Sequence, residues 1–214
     1  PFVEMLRANM RHFGALRIDH AMALERLFWI THGAPPTEGG YVRYPVEELF
    51  GILALESRRH RCLVVGEDLG TLPDGFQARM RDAGVLSYRL LYFAQDEAGF
   101  LPPQNYPEPA AVAVSTHDLA PLAGYWKGRD LELRAALDLF PDAAAKAAAA
   151  TRRAHDRVAL VRALKREGLL KPDHPDEAEA LTFELVLAVH RFLARTPSRL
   201  LLLQLEEATG EVEQ

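Results

Sequence analysis

The chain has 214 residues, 49% of them hydrophobic and 26% charged, with a formal net charge of −5 and a sequence pI near 5.9. That mixture describes an ordinary globular chain with room for one sizeable core or for part of a larger domain. Its basic residues are scattered among acidic ones, which excludes a phosphate-tracking surface and any expectation of a nucleic-acid partner, and no apolar run approaches the ~18 residues of a bilayer span.

The chain opens on "PFVEMLRANMRHFG", where Phe2, Met5, Leu6 and Met10 fall at helical spacing, so a helix is under way from the start. Without an initiator Met or a signal pattern, the opening reads as part of a longer protein. Five apolar runs follow: "ALRI" (15–18), "CLVVG" (62–66), "YRLLYF" (88–93), "AVAVS" (111–115) and "RLLLLQL" (199–205). They are continuous rather than alternating, as in strands of a parallel sheet covered on both faces. Helical patterns lie between them, in "YPVEELFGILALESRRH" and in "PDGFQARMRDAG", the latter opened by Pro-Asp and closed by Gly. Strand, helix, strand, helix is the rhythm of βαβ units, so the fold class is α/β.

Two stretches break the rhythm. Residues 94–109 form a Pro-rich stretch without periodicity, read as a long loop. Residues 119–198 are read as a helical insertion and crossover, in which Val158, Val161 and Leu164 keep an apolar stripe through an Ala-rich run. The division is therefore 1–118, a β/α segment; 119–198, the insertion; and 199–214, the last strand and C-terminus, all one structural unit. Trp29 and Trp126 are expected in the core. The single cysteine, Cys62, sits in an apolar run, so a buried inert thiol in a reducing, cytoplasmic compartment is expected.

Polar residues gather at three strand ends. The first carries Arg17, Asp19 and His20; the second, in "GEDLG", Glu67 and Asp68; the fourth, in "STHDLAP", Thr116, His117 and Asp118. Ligands bind at the C-terminal ends of strands in parallel β/α architectures. Neighbouring parallel strands lie about 4.8 Å apart. If the first two strands are neighbours, Asp19 and Glu67 stand at the roughly 5 Å separation that suits double displacement at a sugar anomeric carbon. Arg17 would then keep Asp19 ionised as nucleophile, leaving Glu67 as the proton donor. Asp118 would stabilise positive charge in an oxocarbenium-like transition state, with His117 beside it. The same residues admit structural readings. Arg17 and Asp19 can form a strand-end ion pair, Glu67 can form a helix N-cap pair with Asp68 before "LPDG", and Asp118 can cap the next helix. Tyr41 and Phe93 can stack on sugar or simply pack. No histidine shows metal-ligand spacing, and carboxyl chemistry of this kind needs no cofactor.

The blocks "ALRIDH", "GGYVRYPVEELFGILALESRR", "VVGEDLGTLPDG", "LSYRLLYF", "VSTHDLAPLAGYW" and "VHRFLARTPS" resemble, in order, the amylomaltases, bacterial 4-α-glucanotransferases of glycoside hydrolase family 77. The resemblance implies a (β/α)8 barrel, of which this chain supplies about strands four to eight with a helical insertion before the last. It implies retaining transfer of a 4-α-glucanosyl segment between maltodextrins or to glucose. Asp19 matches the nucleophile, Glu67 the acid/base and Asp118 the transition-state stabiliser; Arg17, His117 and His20, with Tyr41 and Phe93, become candidate substrate contacts. After "RIDH", "AMALERLFW" is expected to continue as an apolar helix. A barrel segment with open edges is expected to be weak or inactive alone and to self-associate through those edges. The rival readings are an α-glucan hydrolase of the same barrel clan and a non-catalytic carbohydrate-binding fragment.

Overall fold

A computed structural model describes residues 1–213, and these divide into two compact units. The first comprises Pro1–Tyr88 with Pro109–Ala111, and the second Arg89–Glu108 with Val112 onward. Contact groups the chain differently from the segments 1–118, 119–198 and 199–214, because the strands around residues 88 and 111 contribute residues to both units.

In the first unit, helix α1 (Phe2–Met10) leads to strand β1 (Ala15–Ile18), a 3-10 turn at Ala21–Leu24, and strands β2 (Arg26–Trp29) and β3 (Gly40–Arg43). Helix α2 (Val46–His60), strand β4 (Leu63–Gly66), helix α3 (Phe76–Asp82) and the start of β5 (Ser87–Leu90) complete it. β1 and β4 pair in parallel, Ala15 against Leu63 through Ile18 against Gly66. Leu86 continues the parallel arrangement beside Val65, donating to the Val64 carbonyl while its own carbonyl accepts from Gly66. Leu6 and Met10 of α1, Phe50 and Leu53 of α2, and Phe76 and Met80 of α3 bury against Cys62 and Val64. The Cys62 thiol is buried, and burial pushes its pKa up.

One charge sits inside that core. Glu56 of α2 has a side chain only 2% exposed and accepts Nε and Nη2 of Arg7 at 2.8 and 2.9 Å, with Arg59 Nη1 at 2.9 Å. The Arg7 guanidinium, with Arg59 assisting, holds the carboxyl down at about 2 despite its burial.

The second unit takes the rest of β5, a 3-10 turn at Leu91–Phe93, the hairpin β6 (Gln95–Asp96) and β7 (Gly99–Phe100), and the second half of β8 (Ala110–Ala113). Helices α4 (Leu122–Lys127), α5 (Arg129–Ala136), α6 (Ala143–Arg166) and α7 (Phe183–Ala194) follow, then strand β9 (Leu200–Leu201) and helix α8 (Leu205–Thr209). Asp142 caps α6 by accepting from Ala145 N–H at 2.6 Å, and Thr182 caps α7 through Leu185 N–H at 3.2 Å. Trp126, Leu160, Leu164, Val189 and Phe192 form its core around Val112 and Val114. Tyr92 and Tyr125 stack with ring centroids 4.0 Å apart, and Arg153 lies over Tyr125 while pairing with Asp130 at 2.7 Å.

Several expectations are corrected. The third strand ends at Leu90, because Ala94 N–H turns back onto the carbonyls of Leu90 and Leu91. The last is cut to Leu200–Leu201, with Leu205 already helical. The apolar helix after "RIDH" is a single 3-10 turn, followed by an antiparallel hairpin in which Arg26 faces Arg43 and Trp29 faces Gly40. Trp29 is therefore exposed rather than in the core, its Nε1–H donating to the Tyr44 hydroxyl at 3.0 Å, whereas Trp126 is buried as expected. Inside the Pro-rich stretch 94–109 lies the β6–β7 hairpin, too short for an alternating pattern.

Candidate active site

In the first unit, the candidates lie one residue beyond the paired strands. The β1–β4 register ends at Ile18 against Gly66, so Asp19 and Glu67 are the next residues at the ends of neighbouring parallel strands. Glu67 N–H donates to the Ile18 carbonyl at 2.8 Å and Ala21 N–H to the Glu67 carbonyl at 2.9 Å, extending the ladder past both strands. His20 takes a left-handed conformation, φ 46° and ψ 54°, which turns its N–H onto Glu67 Oε2 at 2.9 Å. Glu67 Oε1 accepts from Leu69 N–H at 2.6 Å. The carboxylate is thus fixed by backbone on both sides, and the residue is 8% exposed.

Asp19 is the opposite case, with a side chain 67% exposed and Oδ1 held at 2.7 Å by Arg17 Nη2. The Arg17 guanidinium packs over the Tyr88 ring, 5.4 Å from its centroid. Tyr88 is buried, and burial pushes its hydroxyl above the ordinary phenol range while the Arg17 charge opposes. The strand-end ion pair thus forms, whereas Glu67 is no helix N-cap: α3 starts after Gly75 without a side-chain cap, and Glu67 holds the N–H groups of His20 and Leu69 instead.

Gly66 sets the approach to Glu67. A Cβ there would lie 2.7 Å from Met80 Cε and 3.1 Å from both Ala21 Cβ and Val85 Cγ1, so α3 and the 3-10 turn pack closely against this bare strand end. Tyr41 is exposed on the β2–β3 hairpin, edge-on to Phe28 at 5.2 Å and under Arg26 at 4.3 Å.

In the second unit, Thr116 is buried while His117 and Asp118 are exposed at the tip of one turn, Asp118 with a side chain 75% exposed. His117 Nε2 lies 3.4 Å from Asp118 Oδ2, and Asp118 N–H donates to Thr116 Oγ1 at 3.1 Å. Asp118 does not cap the following helix: α4 begins after Pro121, and its Leu122 N–H goes to Glu207. Phe93 ends its 3-10 turn exposed. The structure therefore brings Arg17, Asp19, His20 and Glu67 to one strand edge of the first unit, and joins His117 with Asp118 on one turn of the second. Among the described residues, no group of three or more His, Cys, Asp or Glu is disposed to hold a metal ion.

Asp68 was read only as a strand-end acid, and Gln204 and Glu207 were not singled out. Asp68 is buried and accepts Tyr88 N–H at 2.8 Å, Gln77 Nε2 at 2.9 Å and the Ser87 hydroxyl, tying the loop after β4 to the start of β5. Gln204 and Glu207 reach back to Ser115 and Leu122. The available signal was an acid one residue past a strand-end acid in "GED", and an acid within the apolar end of "RLLLLQLEEA".

A family model described as 4-alpha-glucanotransferase matches residues 1–214. The chain is 41% identical over 213 residues to the 4-alpha-glucanotransferase of Haemophilus influenzae, covering 99% of this chain and 30% of that protein. It is 44% identical over 216 residues to the 4-alpha-glucanotransferase of Mycobacterium tuberculosis, covering 99% and 29%. The crystal structure of amylomaltase from Corynebacterium glutamicum is similar with a TM-score of 0.87 and 30% identity, over 96% of this chain and 30% of that one. The chain thus spans about 30% of the length of the curated relatives it matches. With its mixed α/β fold and a family match along its whole length, the chain belongs to the 4-alpha-glucanotransferase family, glycoside hydrolase family 77.

Proposed function

We propose that the full-length protein carrying this chain transfers a 4-α-glucanosyl segment from one α-1,4-glucan to the 4-hydroxyl of another, or of glucose, by retaining double displacement. The observation that carries the reading is the parallel register that sets Asp19 beside Glu67, with the His20 N–H bond fixing the glutamate. Neighbouring parallel strands lie about 4.8 Å apart, a backbone spacing compatible with the carboxyl separation of about 5 Å that a retaining site uses.

In the first half-reaction, the Asp19 carboxylate attacks the anomeric carbon while Glu67 gives its proton to the glycosidic oxygen. The C–O bond breaks, the shortened glucan leaves with a free 4-hydroxyl, and the donor segment becomes an ester on Asp19. In the second, the Glu67 carboxylate takes the proton from an acceptor 4-hydroxyl, whose oxygen displaces Asp19 and restores the α linkage. Arg17 holds Asp19 in line for both displacements. Asp118 is the third carboxylate, opposing positive charge on the oxocarbenium-like sugar, and His117, His20, Tyr41 and Phe93 are the sugar contacts. The chain supplies about strands four to eight of a (β/α)8 barrel with a helical insertion before the last; the successive parallel neighbours β1, β4 and Leu86 support that reading. A reducing cytoplasmic setting fits the buried thiol of Cys62.

Product analysis with maltotriose tests the reaction. Longer oligomers together with glucose, at constant total reducing ends, are expected. A steady rise in reducing ends without longer products would replace transfer by hydrolysis, and no turnover would favour a carbohydrate-binding role.

A further inference from the structure

Helix α8 exposes its leucine and buries one of its two acids. Leu205 is 76% exposed, whereas Glu207, the helix's only buried residue, is 5% exposed. Burying a carboxylate costs free energy unless it is hydrogen-bonded. Here Oε1 and Oε2 accept the Leu122 backbone N–H at 3.0 and 3.3 Å. Burial pushes the Glu207 carboxyl up, and the Leu122 N–H pulls against that shift.

Three residues earlier, Gln204 Oε1 accepts both the N–H and the hydroxyl of Ser115, at 3.2 and 2.8 Å. Glu207 N–H donates to the Gln204 carbonyl at 3.2 Å, so the two acceptors sit on one turn of backbone. Ser115 and Leu122 are both fully buried, and between them lies "THDLAP", whose exposed tip is His117 and Asp118. The segment Gln204–Glu207 therefore grips the entry and the exit of the Asp118 turn, and touches it through backbone on both sides. An apolar residue at 207 would cover α4 equally well but would leave the Leu122 N–H without its acceptor.

We infer that Gln204 and Glu207 are positioning residues that together fix where the Asp118 carboxylate stands during glucan transfer. The inference rests on the reading of Asp118 as the third carboxylate. Misplacing a reacting group by about 1 Å can cost roughly 100-fold in rate, and a turn released at either end has that freedom.

The test uses the full-length protein with maltotriose, reading kcat, KM and the melting temperature for Glu207→Ala, Gln204→Ala, Glu207→Gln, Gln204→Glu and Asp118→Asn. Asp118→Asn should be inactive. Each alanine variant should lose roughly 10- to 100-fold in kcat with little change in KM. Glu207→Gln and Gln204→Glu should recover most of that loss, because each keeps an oxygen acceptor for the same donor. If Glu207→Ala does not fold, Gln204→Ala carries the test alone. Wild-type kcat in the alanine variants, or losses that the conservative variants fail to restore, overturns the positioning role while an inactive Asp118→Asn leaves the proposed reaction standing. An Asp118→Asn variant with wild-type kcat overturns the role given to Asp118, and the positioning role with it.

Discussion

The backbone N–H of His20 donates to Oε2 of Glu67 at 2.9 Å, so the residue that follows one candidate carboxylate fixes the other. The bond needs the left-handed turn at His20, a conformation that costs an L-residue roughly 1 kcal/mol. It ties the residue after the end of β1 to the residue after the end of β4.

Replacing Glu67 with Gln removes the transferable proton and keeps an oxygen acceptor for one of the His20 and Leu69 N–H groups, the other then facing the amide nitrogen. Turnover of maltotriose should fall roughly 100- to 10,000-fold. A donor whose leaving group departs without protonation, such as a glycosyl fluoride, should still form the glycosyl-enzyme. Equal losses on both donors would argue against Glu67 as the acid.

The Arg17–Asp19 pair offers a second test, because its Asp19 side chain is 67% exposed even though that of Arg17 is only 29% exposed. Pairs of that kind contribute about 0–1 kcal/mol to stability. Arg17→Lys should therefore leave the melting temperature nearly unchanged. It should lower kcat roughly tenfold or more, since an ammonium cannot reproduce the guanidinium lying over Tyr88. Asp19→Asn should abolish the covalent glycosyl-enzyme seen by intact-protein mass spectrometry. A melting temperature that drops with full activity retained would make the pair purely structural.

Glu56 predicts the acid limb of stability. Its carboxyl is held at about 2 against an ordinary 4.5, so it binds protons more readily in the unfolded chain. The stability it contributes is fully present above about 4.5 and is lost as pH falls toward 2. Thermal melts by circular dichroism between these values should show a falling melting temperature, and Glu56→Gln should be less stable at neutral pH with a flatter limb. An unchanged limb in the variant would assign acid sensitivity to other carboxylates.

Gly66→Ala places a methyl group 2.7 Å from Met80 Cε and 3.1 Å from Ala21 Cβ. The Met80 terminal methyl can swing aside, so the cost falls on Ala21 Cβ and Val85 Cγ1 at 3.1 Å and should be about 1 kcal/mol, the low end for overpacking. Because the glycine directly precedes Glu67, kcat should fall together with stability, as read by urea unfolding and maltotriose turnover. Full activity in a destabilised variant would uncouple the strand-end packing from the site.

The legible parts of the sequence were those decided by local pattern. The apolar runs at 15–18 and 62–66 became parallel neighbours, and the helices at 46–60 and 76–82 appeared where Pro, Gly and periodicity placed them. The hairpin of Arg26–Trp29 with Gly40–Arg43 was not legible, because its exposed Phe28, Trp29 and Tyr41 carry no inside-outside alternation. Nor was the early end of the strand at Leu90, which a backbone turn at Ala94 decides.

The sequence by itself determined the family and the acidic residues at three strand ends, since residue order and side-chain chemistry are its own content. The tertiary structure decided that Glu67 is buried and gripped by two backbone N–H groups while Asp19 stays open to water, and that Gln204 and Glu207 hold a turn some 85 residues upstream. The physical reason is that hydrogen bonds and burial depend on which groups meet in space, and residues 18 and 66, or 122 and 207, become neighbours only once the chain has folded.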